Sequence, residues 1–569
     1  MRDVISQLIA TAIDEAVAEG ALALAEVPAI DLERPRDESH GDWATSVALR
    51  AAKQAGMPPR NLAQMIADRV SGHEDIDAVE VAGPGFINLR LSPAALQRIL
   101  REAREADSGF GRSNAGEGKR VQVEFVSANP VGPMHVGHGR WAALGDSIAS
   151  ILEHSGWVAE REFYINDAGV QMDVFGTSVA ARYLELLGKP VDFPEEGYRG
   201  AYIAEIAAEV RAAEGDALAE LPFGELSVRC RELGYELVLE NHLRRVLHKM
   251  GVDFDVWFSE RTLHAQREDG GTEIEDAIAR LRERGYIFEQ EGALWFRSTD
   301  YGDDKDRVLK KSDGEYTYFA ADIAYHWDKL DVRGFDRVIN IWGADHHGYV
   351  ARMKAAVAAL GHEDQLDIVI GQLVNLFRNG EAVRMSKRTG EMVTFEELLD
   401  EVGTDAARYW FLRRSTDQQV DFDIELAVKN SADNPVFYVQ YAYARICSIL
   451  RKAAGEMQGS ERSADELSGA LVAADTDLSL LTDPAELALV RKLGELPDVV
   501  AIAARDLAPY RLARYTEDLA ASFHQFYTQC RVVSDDEALT AARLYAVDAT
   551  RRALRCVLSL LGVSAPESM

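Results

Sequence analysis

Residues 121–141 change hydrophobic period in mid-stretch, and no other feature constrains the fold of this chain as tightly. Val121-Gln-Val-Glu-Phe-Val126 is a β-rich run, whereas Trp141, Leu144, Ile148 and Leu152 recur at helical spacing until Gly156 stops them. A strand therefore feeds a helix. Pro130, Gly132 and Pro133 forbid regular structure between the two, and His135-Val-Gly-His138 stands where the helix begins. Such a helix start is an anion site in outline. Its unbonded N–H groups and positive dipole end favour phosphate, Gly137 lets a ligand approach the backbone, and two imidazoles can donate to phosphate oxygens. Two histidines near a helix start could equally cap or pack it, so the surrounding pattern has to decide.

Residues 158–165 read as a second strand at the right distance for a right-handed βαβ crossover, which makes this half of a Rossmann-like fold. The first turn lacks Gly-x-Gly-x-x-Gly, so it is not a dinucleotide site. Residues 176–265 are helical, acidic and poor in strand signals, and read as an insertion. The nucleotide fold resumes near Ala293–Phe296 and turns at Lys311-Ser-Asp-Gly314. It then reaches Arg337-Val-Ile-Asn-Ile-Trp342, which enters Gly343-Ala-Asp-His-His-Gly348 ahead of a helix with Val350, Met353, Val357 and Leu360 on one face. Ligands of doubly wound sheets sit outside the carboxyl ends of the strands, so the loops after Val126 and Trp342 are expected to converge on one nucleotide. A further strand at 368–370 leads to Val383-Arg-Met-Ser-Lys-Arg-Thr-Gly390, a loop whose Lys387 can meet charge building on a leaving pyrophosphate.

A chain of 569 residues exceeds one core. The expected architecture is multidomain α/β. A Rossmann-like parallel-sheet domain at 119–375 carries the helical insertion; an α+β module at 1–110 precedes it. A connecting region at 376–430 holds the cationic loop, and an all-α bundle fills 431–569. No apolar run approaches the roughly 20 residues of a membrane span. Asp14, Glu15 and Glu19 interrupt the N-terminal apolar segment, and no signal peptide is visible. Cys230, Cys447, Cys530 and Cys556 are far apart and form no Cys-x-x-Cys, against both a disulfide framework and a structural metal. A reducing cytoplasm is the expected compartment. The formal net charge of −32 confines any RNA-binding face to local patches, since phosphate neutralisation needs Lys and Arg.

The combination resembles the class I aminoacyl-tRNA synthetases. Glu124, Ser127, Ala128, Asn129 and Pro130 through His138 are similar to the arginyl version of their first signature, with Val136 where Ile is usual. Residues 383–390 are like the second signature, Arg384 replacing its first lysine and Arg388 its last serine. Gly41-Asp42-Trp43-Ala44 and Gly83-Pro84-Gly85-Phe86-Ile87-Asn88 resemble the additional N-terminal domain of arginyl-tRNA synthetases. Residues 434–445, 548–555 and 561–566 resemble the helical anticodon-binding domain. The resemblance implies activation of L-arginine by ATP, with Mg²⁺ accompanying the nucleotide, and transfer to tRNA(Arg), by a monomer. It implies His135, His138 and Lys387 as catalytic residues. Pro133, Gly137, Gly343, Asp345, His346, Met385 and Ser386 would join those three around ATP. Glu124, Ser127, Asn129, His138, Tyr318 and Asp322 would hold arginine. Phe86, Asn88, Arg445, Arg551, Arg552 and Arg555 would meet tRNA, the last three as a basic strip on the final helix. Two rivals stay open: a small-molecule nucleotidylyltransferase, which would need no outer modules, and a non-catalytic tRNA-binding paralogue, which could have lost His135, His138 and Lys387.

Overall fold

Five parallel strands form the central sheet, ordered Leu366–Gly371, Arg337–Gly343, Arg120–Glu124, Val158–Ile165 and Val256–Ser259 across it. The computed structural model describes every residue except 36, 269, 384–392 and 457–461. Strand order reverses between Arg120–Glu124 and Arg337–Gly343, the switch point at which a doubly wound sheet opens a crevice. Arg120–Glu124 is buried from its second residue onward, as expected of a strand covered on both faces.

The helix Val136–His154 lies against this sheet because glycines let it. A Cβ at Gly145 would stand 2.0 Å from the Phe125 ring, and one at Gly371 would stand 1.8 Å from Trp141. The segment read as a helical insertion poor in strand signals does contain the helices Val170–Leu186, Ala201–Glu214 and Phe223–Leu237, but its end is corrected: Val256–Ser259 is the edge strand of the central sheet. Its four half-buried residues carry no alternation by which to recognise a strand.

A small antiparallel sheet, Arg307–Lys310, Ala293–Phe296 and Ile287–Gln290, precedes the helix Tyr318–Trp327, which continues as a π-helical turn over Asp328–Val332. The expected turn at 311–314 is present, with the Lys311 N–H donating to the Glu315 carbonyl at 2.8 Å.

In the N-terminal module a four-stranded sheet includes the expected strand–turn–strand pair Ile76–Ala82 and Phe86–Leu91. The helix Pro93–Ala106, N-capped by Ser92 Oγ at 3.2 Å, leaves this module and lies along the C-terminal bundle. Arginine side chains fasten the contact: Arg101 donates to the Ala474 carbonyl at 2.7 Å, Arg104 to the Val472 carbonyl at 2.9 Å, and Arg34 to the Gly494 carbonyl at 3.1 Å. The bundle is helical, as expected, and ends in Glu537–Leu560. Among the described residues no helix is long and apolar enough to cross a membrane.

Candidate functional site

The crevice at the switch point is a cleft of about 900 Å³, and both predicted loops line it. After Glu124 the chain turns sharply through Val126 (φ 68°) and Ser127 (φ 42°), left-handed conformations that cost free energy, most of all for a β-branched residue. The turn places the Ser127 hydroxyl to donate to Glu124 Oε1 at 3.1 Å while accepting the Tyr164 N–H at 3.2 Å. Beyond it, His135 is the N-cap residue of Val136–His154. Its N–H donates to His138 Nδ1 at 3.3 Å, which leaves the His138 proton on Nε2, and the two rings stack 3.7 Å apart. A Cβ at Gly137 would meet the His135 ring at 2.9 Å, so this glycine first of all makes room for the imidazole pair.

The cleft is also acidic. Glu124, Asp322 and Glu260 all line it. Asp322 accepts the Tyr349 hydroxyl at 2.5 Å. Burial nevertheless lifts its carboxyl to about 7; the Tyr349 bond opposes the rise, and neighbouring Glu260 and Glu124 add to it. Tyr318, at the first turn of the same helix, is not core: it is 63% exposed and stands at the cleft wall, 3.4 Å from where a Cβ on Gly169 would be. Asn129 donates to Gln171 at 2.7 Å.

Sequence reasoning misses Glu260. It is 3% exposed, its Oε1 lies 3.5 Å from His264 Nε2, and it adds a third carboxylate to the cleft lining beside Glu124 and Asp322. The signal that could have found it is positional: it follows Val256–Ser259 at the carboxyl end of a parallel strand, where ligands bind, but that strand is itself hidden in the sequence.

Gly343, Asp345 and His346 also line the cleft, with the His346 ring 6.1 Å from Trp342. Met385, Ser386 and Lys387 lie outside the described residues. Thr394, just beyond them, pairs with His135 in an isolated β-bridge, and the neighbouring Phe395 N–H donates to the Met134 carbonyl at 2.9 Å.

The expected tRNA contacts fare differently. Arg551 is fully buried and paired with Asp548 at 2.8 Å and Asp465 at 2.6 Å, so it is a core residue and no RNA contact. Arg552 and Arg555 turn toward the N-terminal module and bind Asp107 at 2.9 and 2.6 Å. The basic strip is thus an interdomain clasp. Asn88 is 7% exposed within its strand and is likewise withdrawn, whereas Phe86 is half-buried beside the Gly83–Gly85 turn. Arg445 lies with its guanidinium over the rings of Tyr441 at 4.9 Å and Tyr527 at 5.2 Å, the latter partly exposed.

Three family models match in collinear order: the arginyl tRNA synthetase N-terminal domain over residues 3–91, the class I (R) tRNA synthetase catalytic domain over 104–434, and the DALR anticodon binding domain over 439–569. The chain is 52% identical over 547 residues to the arginine–tRNA ligase of Heliobacterium modesticaldum, covering 95% of this chain and 94% of that one. It is 47% identical over 571 residues to that of Desulfosudis oleivorans, with both chains covered completely. The structure of Thermus thermophilus arginyl-tRNA synthetase superposes with a TM-score of 0.73 at 25% identity, again over the whole of both chains. With the catalytic model alone spanning more than half of the sequence, and the cleft at the switch point where that model falls, the chain belongs to the class I arginyl-tRNA synthetases.

Proposed function

We propose that the protein activates L-arginine with ATP and transfers it to the terminal adenosine of tRNA(Arg), as a cytoplasmic monomer. The observation that carries this reading is the make-up of one cleft: three carboxylates, Glu124, Glu260 and Asp322, line it together with a helix N-terminus that bears two stacked imidazoles. Arginine has two cationic groups at opposite ends of a long side chain, so an acidic site with Tyr318 as wall suits it better than it suits citrulline, which lacks the guanidinium charge. ATP would lie with its phosphates at His135 and His138 and its adenosine toward Gly343, Asp345 and His346, with Pro133, Met385 and Ser386 nearby. Mg²⁺ would come bound to the ATP phosphates, keeping several of its waters.

In the first step an oxygen of the arginine carboxylate attacks the α-phosphorus, the bond to the bridging oxygen of the β-phosphate breaks, and pyrophosphate leaves. His135 and His138 stabilise charge at the α-phosphate and Lys387 the charge gathering on pyrophosphate. In the second step a ribose hydroxyl of the terminal adenosine attacks the acyl carbon, and AMP leaves. For tRNA the remaining candidates are Phe86 and Arg445; the Arg445–Tyr441–Tyr527 group offers stacking faces and a cation to unpaired bases. Arginine-dependent exchange of pyrophosphate into ATP, measured with and without tRNA(Arg), tests the reading. Exchange supported equally by lysine or citrulline would overturn it.

A further inference from the structure

We infer that Lys329 is a positioning residue for the amino-acid site: a buried chain of hydrogen bonds through it fixes the Glu124 carboxylate relative to Asp322. The inference rests on the arginine reading of the cleft. Lys329 is fully buried on the π-helical turn Asp328–Val332, and such turns recur at functional sites because they redirect a side chain that a regular helix would aim elsewhere. All three of its N–H groups have a destination. Nζ donates to Glu124 Oε2 at 2.6 Å and to Asn340 Oδ1 at 3.2 Å, and it lies 3.9 Å from the centre of the Tyr325 ring.

The chain continues on both sides. Because the ammonium can only donate, it fixes the Asn340 amide with its oxygen toward Lys329, so Nδ2 donates to His326 Nε2 at 2.8 Å. The His326 proton then sits on Nδ1, which donates to the Asp322 carbonyl at 2.7 Å. At the other end, Glu124 Oε1 accepts the Ser127 hydroxyl. The Glu124 carboxylate and the Asp322 backbone, on different elements, are therefore joined through the central strand Arg337–Gly343, which carries Asn340, while the Asp322 carboxylate itself is held by the Tyr349 hydroxyl. A second buried carboxylate in the network, Glu162, already has Arg333 and the Tyr325 hydroxyl, so the Lys329 charge is directed to Glu124. Stability alone does not account for the arrangement, since a buried ion pair is commonly no better than an apolar pair of the same volume. A fixed spacing between two acceptors is what selects a ligand with two cationic groups at a given separation.

Arginine and ATP affinities measured separately on Lys329→Met, Glu124→Gln and the double variant test the proposal. Lys329→Met is expected to weaken arginine roughly tenfold or more, the effect of disturbing a hydrogen bond to a charged group, and to change ATP affinity less than about twofold. Added to Glu124→Gln, which also removes the stranded charge, it is expected to cost no further arginine affinity. Should Lys329→Met alone fail to fold, Asn340→Leu, which cuts the chain but keeps the ion pair, must weaken arginine and spare ATP. Parental arginine affinity in the foldable single variant, equal losses for both ligands, or losses that multiply in the double variant would each overturn it. A parent that binds no arginine, or a Glu124→Gln variant with parental affinity, would instead overturn the reading of the cleft.

Discussion

Asp322 sets stability against binding in a single side chain. Its carboxyl, at about 7 in the folded protein, titrates near 3.9 in an unfolded chain. The folded state therefore holds the extra proton between about pH 4 and 7, so stability falls as pH rises through that window and levels off above it. Asp322→Asn should remove this slope and raise the free energy of unfolding at pH 8, by on the order of 2–4 kcal/mol at most, the cost of keeping this carboxylate charged in its buried place. Arginine, which needs the carboxylate, should bind the parent more weakly below pH 7, by up to about tenfold for each step of one in pH, and Asp322→Asn weakly throughout. Calorimetric titration from about pH 5.5 to 8.5 checks both; a flat arginine profile in the parent would count against the assignment. His138→Ala is a separate case. Losing one donor to a developing charge should slow adenylate formation by about 10²–10³, and tRNA affinity measured on the same variant should be much less affected.

Elements with a strong local signature are legible in the sequence, and elements defined by their neighbours are not. The run from Val121 to His138 announces a strand, a broken turn and a helix start because proline, glycine and two different periods leave few alternatives. Val256–Ser259 is a strand only because Val158–Ile165 lies beside it, and Glu260 is hidden along with it. The π-turn that carries Lys329 has no sequence signal either; it shows only in the hydrogen bonds of the folded chain. Close packing is concealed in the same way. Gly371 looks like a strand end, yet the indole of Trp141 occupies the place a methyl group would take. Gly371→Ala is expected to force the signature helix off the sheet at a cost of roughly 1–3 kcal/mol, read as a lower thermal midpoint together with weaker ATP binding. An unchanged midpoint would show that the helix has room to yield.

Across the whole molecule, a run of arginines proves to be a poor guide to a nucleic-acid face. Arg551, Arg552 and Arg555 recur along one helix, but Asp107, Asp465 and Asp548 take up their charge within the protein. Replacing Arg551 by Ala should therefore lower stability, by roughly 2–5 kcal/mol since it empties a fully buried place while Arg104 and Arg552 still hold Asp548, and leave the salt dependence of tRNA binding unchanged. Arg445→Ala should instead reduce the slope of log K against log salt by about 1 with little loss of stability. The opposite pattern would restore the basic strip as an RNA face. The clasp also has a consequence for how the protein is made. Arg104 and Asp548 stand 444 residues apart, and at about 5–20 residues per second a ribosome needs ~20–90 s to travel between them. For most of that interval the helix Pro93–Ala106 has been synthesised without the bundle it lies on, and Ile99 waits until Gly494 is made for the close contact between them. A ribosome stalled before the final helix should thus carry a chain whose opening domain has a bare, sticky flank, a ready hold for a chaperone.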